Sequence, residues 1–145
     1  MLPMPMKQKD IEELLKKPMV AVVAVTAPDG APHAVPTWYE YADGQIVFHT
    51  MAHAFKYKCL VHDPRITLVV DTKEAPYKTV VLKGRAMLEE KIDDERTERL
   101  AVAYLGKELG KAYAQSLKAT KVVVVSFKPS RTISWDYGNY GQERP

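Results

Sequence analysis

The chain has 145 residues, 46% of them apolar, and a formal net charge of +3. That is enough apolar content for one packed domain over residues 1–145, which excludes a disordered chain, and the charge is too small to mark a nucleic-acid binder. A single cysteine excludes an internal disulfide framework. With no membrane-length apolar run, and no signal-peptide core in the opening MLPMPMKQKD, the expectation is a cytoplasmic protein.

Asp10, Ile11, Leu14 and Leu15 predict a short amphipathic helix stopped by Pro18. MVAVVAV, Met19 to Val25, reads as a buried strand, turned by APDG. APHAVPTWYEY follows as a second strand whose two prolines, Pro32 and Pro36, place it at an edge or a bulge, because proline donates no ladder hydrogen bond. ADG then turns the chain into QIVFHT, a hairpin signal. AFKYKCLVH is about two helical turns, ended by Asp63-Pro64. RITLVVD is a strand with Ile66, Leu68 and Val70 on one face. YKTVVLKGRAMLEE is a longer strand with Val80, Leu82, Gly84, Ala86 and Leu88 inward and Thr79, Lys83 and Arg85 outward; Gly84 marks a bulge or bend. DDERTERLAVAYLG is a helix begun by Asp93 and Asp94 and ended by Gly106, and a second helix covers Lys107 to Leu117. The last strand, KVVVVSFKPSRTISWD, is interrupted at Pro129.

Six strands joined mostly by short turns predict a mainly β (α+β) fold, a six-stranded antiparallel barrel with helices packed outside. The first three strands have no helices between them, which disfavours a doubly wound parallel sheet.

The stretch VFHTMAHAFKYKCLVHDPR concentrates the chemistry. His49 and His53 are four apart, but one ends a strand and the other sits in a turn, so the helical zinc geometry is not formed and no metal site is expected. Cys59, inside a helix without a placed base, reads as a small apolar packer, and His62 as a helix C-terminal residue. An anion cradle fits better. The strand ends at Thr50, a hydroxyl donor, and the helix that follows exposes free N–H groups with Lys56 in reach. The competing reading makes Lys56 and Lys58 solvated surface lysines.

The order G-x-PHAVPTWYEY-x-DGQIVFHT, K-x-K-x-L-x-x-DPRITLVVD and Y-x-x-V-x-x-x-G-x-A resembles the pyridoxamine 5′-phosphate oxidase-like superfamily, and within it the small flavin- or deazaflavin-dependent oxidoreductases. The resemblance covers Met19 to Glu89, with further support from RLAVAYLG and PSRTISWDYG. It implies a split β-barrel of Greek-key type and a homodimer with FMN, or alternatively coenzyme F-420, at the subunit interface. On this chain it implies that Pro36, Thr37 and Trp38 line the flavin ring, and that His49 and Thr50 border the ribityl chain or phosphate. Lys56 is then the phosphate lysine, with His53 and Lys58 beside it, and Trp135 reaches the other subunit's ring. Ala54 stands where many relatives carry serine or arginine. The hydride chemistry would belong to the cofactor. Tyr39, His49, Tyr77 and Tyr137 remain open as proton donors.

Three functions stay open at this level. The first is an FMN- or F-420-dependent oxidoreductase acting on an unassigned small molecule, with pyridoxamine oxidation itself disfavoured. The second is a non-catalytic flavin or haem binding protein. The third is an oligonucleotide-binding barrel, which the alternation of basic with acidic residues disfavours.

Overall fold

The computed structural model describes residues 4–139. In chain order these form α1 (Gln8–Leu15), β1 (Ala21–Thr26), β2 (Pro32–Thr37), β3 (Glu40–Ala42), β4 (Gln45–Thr50), α2 (Phe55–His62) and β5 (Arg65–Asp71). They continue with β6 (Lys78–Arg85), β7 (Met87–Ile92), α3 (Asp94–Leu105), α4 (Lys107–Ser116), β8 (Lys121–Phe127) and β9 (Arg131–Asp136). The strands make a five-stranded sheet, β2-β1-β5-β6-β9, and a four-stranded sheet, β3-β4-β8-β7, with every pair antiparallel.

The expected six-stranded barrel is therefore corrected to nine strands in two sheets among the described residues. Three segments that read as single strands each break and pass from one sheet to the other. The second predicted strand leaves the five-stranded sheet at Trp38, where the Tyr39 N–H donates to the Tyr104 hydroxyl at 3.1 Å instead of to a ladder partner. The fifth breaks at Ala86, whose N–H donates to the Pro64 carbonyl at 2.8 Å. The sixth breaks at Pro129, which has no N–H to pair, and the following Ser130 N–H donates to the Lys83 carbonyl at 2.8 Å. The break at Pro129 matches the interruption expected there, but period-two patterning is continuous through the corners at Trp38 and Ala86, so a linear reading does not detect those two.

The core lies between the sheets. β1 contributes Ala21, Val23 and Val25, and β5 contributes Ile66, Leu68 and Val70, the face expected from alternation. Phe48 and Phe127 are fully enclosed among them, and α1 closes one side with Ile11, Leu14 and Leu15. Gly84 has a packing reason: a Cβ there would sit 2.9 Å from the Phe127 ring. Val122 to Val125 are buried in succession, so both faces of β8 are covered. The second cover is α3, which buries Thr97, Leu100 and Ala101. Thr79, expected outward, does lie on the outer face opposite Trp135, yet it is buried.

Candidate functional site

Along β4, Ile46, Phe48 and Thr50 are buried, while His49 between them is half-buried beneath α3. His49 Nε2 is 3.2 Å from Asp93 Oδ2, and Nδ1 is 3.3 Å from the Thr97 hydroxyl. Arg96 donates to the same Asp93 carboxylate and, at 3.0 Å, to Glu40; Arg99 donates to Glu40 at 2.9 Å. Desolvation pulls His49 below its ordinary value, against the raising influence of Asp93. Burial alone would raise Asp93, but the hydrogen bond to His49 and the Arg96 charge hold it below the usual carboxylate value. Both ring nitrogens of His49 thus lie within hydrogen-bond distance of protein groups.

Next to it, Trp38 lies flat on Tyr104, with ring centroids 5.0 Å apart and planes within 11°. Its other neighbour, Tyr113, meets it edge-on at 5.7 Å. The Tyr104 hydroxyl donates to the Met19 carbonyl at 2.8 Å, so this one side chain ties α3 to two strand ends. A cavity of about 200 Å³ lies here, bounded by Thr37, Trp38, His49 and Thr50 on the strand side and by Thr97, Leu100, Tyr113 and Leu117 on the helix side. Four of the residues singled out from sequence thus share one cavity.

The other five do not line it. Lys56 is half-buried on the first turn of α2, its ammonium 5.8 Å from the Phe48 ring centroid. No carboxylate pairs with it among the described residues, and desolvation lowers its pKa. The N-terminus of α2 is uncapped by any side chain, as Ala54 at that position requires. His53 and Lys58 are exposed. Pro36 and Trp135 share the outer face of the five-stranded sheet. There the ladder partners Pro36, Val22, Val69, Val81 and Ile133 run across all five strands as one apolar row, and Trp135 lies two residues beyond Ile133. Val22 in that row is 36% exposed.

Of the side chains considered as proton donors, His49 alone lines the cavity. Tyr39 is buried, donates to the Lys17 carbonyl and has its pKa pushed up by desolvation; Tyr77 and Tyr137 are exposed. Cys59 is a buried free thiol, its pKa raised by burial, as its packing role requires. Among the described residues no group of three or more His, Cys, Asp or Glu is placed to hold a metal ion, and no helix is long and apolar enough to cross a membrane.

A larger groove, about 870 Å³, opens where β5 and β6 pass β8. Arg65, Lys83, Arg85 and Lys128 line it, with no Asp or Glu among the described residues. Arg65 and Arg85 are direct ladder partners, and Arg65 is also bound by Asp63 at 2.6 Å.

Sequence reasoning missed Asp93, Arg96, Thr97, Tyr104 and Tyr113 as site residues. Each sits on the helical hairpin, far along the chain from the strands it meets. In the sequence Asp93 signalled only a helix start, and Arg96, Thr97, Tyr104 and Tyr113 carried no functional signal.

A family model described as pyridoxamine 5′-phosphate oxidase matches residues 8–136. No protein of curated function matches the sequence. Among solved structures, the conserved hypothetical protein Rv2991 from Mycobacterium tuberculosis is 26% identical, with a TM-score of 0.76, covering 97% of this chain and 91% of its own. An F-420 reductase superposes with a TM-score of 0.69 at 22% identity, over 83% of this chain and 94% of its own. A FAD-binding protein from Mesorhizobium loti superposes with a TM-score of 0.65 at 24% identity, over 94% and 99%.

Proposed function

The chain belongs to the pyridoxamine 5′-phosphate oxidase family, and from that premise we propose that it is an oxidoreductase performing hydride transfer on a small molecule through FMN held between two copies of the chain. The observation that carries this reading is Lys56, half-buried without an acidic partner among the described residues, on the first turn of a helix with no side-chain N-cap. An unpaired ammonium kept partly out of water is costly unless an anion completes it. The free N–H groups of α2 supply the other half of a phosphate cradle, flanked by His53 and Lys58.

FMN, when bound, supplies the hydride donor and acceptor. The chain's part is to hold and orient it, with Thr37 and Trp38 on the cavity side and Pro36 on the outer face. The 200 Å³ cavity is smaller than the ligand sites of about 300–1,000 Å³ that enclose a whole cofactor. One chain therefore forms only part of the site. The apolar row on the outer face of the five-stranded sheet, with Trp135 beside it, is the surface on which a second copy would complete it.

F-420 is the second reading, favoured by the groove lined by Arg65, Lys83, Arg85 and Lys128, of which Arg65 is paired with Asp63. The acidic tail of F-420 needs positive charge along the surface, for which Lys58, Arg65, Lys78 and Lys83 are the candidates; Arg65 and Lys83 line that groove, while Lys58 and Lys78 do not. Replacing Lys56 by Met is expected to weaken FMN by roughly one to two decades, the scale of a lost charge-assisted contact. Unchanged affinity in a fluorescence titration would remove Lys56 from the site. Tighter binding of F-420 than FMN, with a steeper loss on adding salt, would make F-420 the cofactor.

A further inference from the structure

We propose that the groove where β5 and β6 pass β8 is a site for a free oligophosphate chain, separate from the cofactor. The proposal does not rest on the redox reading above. The groove and the cavity under α3 share no lining residue, and Lys56 lines neither. They flank opposite ends of the same strands. Pro32 and Gln45, the first residues of β2 and β4, line the groove; Thr37 and Thr50, the last, line the cavity. The six residues of β4 put about 17 Å between those ends, at about 3.4 Å per residue.

The observation behind the proposal is an arrangement of charge that folding alone does not favour. On the outer face of the five-stranded sheet, two residues along every strand from the apolar row, runs a second row of ladder partners: Ala34, Ala24, Thr67, Lys83 and Arg131. Two residues further, Arg65 and Arg85 are direct partners. Two like-charged pairs, Arg65 with Arg85 and Lys83 with Arg131, thus sit side by side across β5, β6 and β9. Like charges directly opposite one another are destabilising. Asp63 binds Arg65, while Lys83, Arg85, Arg131 and Lys128 have no acidic partner among the described residues. A bound anion would cancel the repulsion and turn both pairs into binding groups.

The spacing sets the kind of anion. Strands about 4.8 Å apart and a two-residue step of about 6.8 Å put the four cations of those pairs within roughly 10 Å by 7 Å. A single phosphate, with a charge of about −1.5 to −2, is too small to bridge both pairs. Linked phosphates span them at high charge density, and arginine forks match phosphate oxygens. The groove's volume, about 870 Å³, has room for such a chain. Ala24 and Gly84 keep its floor free of bulk, and Thr67 and Ser126 add hydroxyls. Among the described residues its one aromatic lining residue, Phe127, is 2% exposed. A nucleobase has nothing to stack on, so the site reads the phosphate chain and not the nucleoside; a nucleic-acid strand is disfavoured on the same ground.

Tripolyphosphate in magnesium-free buffer, titrated calorimetrically into the full chain, is the probe. It is expected to bind saturably, to weaken steeply with added salt, and to bind at least about tenfold more tightly than orthophosphate or AMP. ATP is expected within about threefold of tripolyphosphate. Arg85→Gln and, separately, Lys83→Gln are expected to weaken tripolyphosphate by at least about tenfold with circular dichroism unchanged, the scale of a lost charge-assisted contact. Lys56→Met is expected to leave its affinity unchanged, and saturating FMN to leave it bound. Absence of saturable binding, orthophosphate or AMP as tight as tripolyphosphate, or ATP more than about tenfold tighter would each overturn the proposal. So would undiminished binding in both groove variants, or loss of binding in Lys56→Met. Displacement by FMN or F-420 would overturn it by giving the groove to the cofactor. If neither cofactor binds while tripolyphosphate does, the cofactor reading falls and the oligophosphate site stands.

Discussion

Gly110 tests whether the helical hairpin is as tightly joined as the structure requires. It lies inside α4, where alanine is intrinsically better than glycine by about 1 kcal/mol. Propensity alone therefore predicts that Gly110→Ala stabilises the chain. Tertiary packing predicts the opposite. A Cβ at this position would lie 2.5 Å from both the Cα and the N of Val102, and 2.7 Å from the carbonyl carbon of Ala101. These are backbone atoms of α3, so no side chain can swing aside. Restoring ordinary contact requires the helices to part by roughly 1 Å, given carbon–carbon optima near 3.5–4 Å. Overpacking of this kind costs about 1–3 kcal/mol, and a backbone-on-backbone clash belongs at or above the upper end. Set against the propensity gain, the net expectation is a loss of about 2 kcal/mol, or about 4–8 °C in Tm for a chain of this size. Urea unfolding followed by circular dichroism measures it, with Lys111→Ala on the exposed face as a control expected within about 0.5 kcal/mol of the unaltered chain. A Gly110→Ala chain as stable as the original, or more so, would show that α3 and α4 do not approach as closely as described.

Three further expectations follow from other parts of the molecule. Because burial holds His49 below its ordinary 6.5 in the folded chain, the unfolded chain binds that proton more readily; the associated stability is full above about pH 6.5 and is lost as pH falls through the folded value. The groups facing His49 are Asp93, Arg96, Thr97 and Glu40, and the corresponding Asp93 contribution is lost only below its ordinary 3.8. His49→Gln should therefore flatten the decline in unfolding free energy between about pH 7.5 and about pH 5.5, and an unchanged slope would assign that decline elsewhere. Val69→Glu places a carboxylate at the centre of the apolar row on the outer sheet face; sedimentation at micromolar concentration should report a monomer with FMN affinity lost, and an intact dimer would move the interface to another surface. Cys59 is fully buried, so a thiol reagent should label it at the rate of unfolding, and rapid labelling of the folded chain would contradict its packing.

Much of the local structure was legible in the residues. β4 and β5 occupy the predicted segments, Gln45–Thr50 and Arg65–Asp71, because their alternation is unbroken and each is bounded by turn residues. α2, α3 and α4 were also legible, since Asp63-Pro64 and Gly106 are strong stop signals; Gly106 does take a positive φ of 87°. Cys59 as a packer and Lys56 at a helix start came from the same local chemistry.

The interruption at Pro129 was legible as well, but the corners at Trp38 and Ala86 and the cavity were decided only by the tertiary structure. Whether a run such as Pro32–Tyr41 is one strand or two depends on which distant group receives each backbone N–H. For Tyr39 that partner is Tyr104, sixty-five residues away. The setting of His49 depends in the same way on Asp93 and Thr97, and that of Trp38 on Tyr104 and Tyr113. Side-chain periodicity encodes which face of an element is apolar. It carries no information about which other element that face will meet, because hydrophobic burial is non-directional, and the choice of partner is made by packing and hydrogen-bond satisfaction across the whole chain.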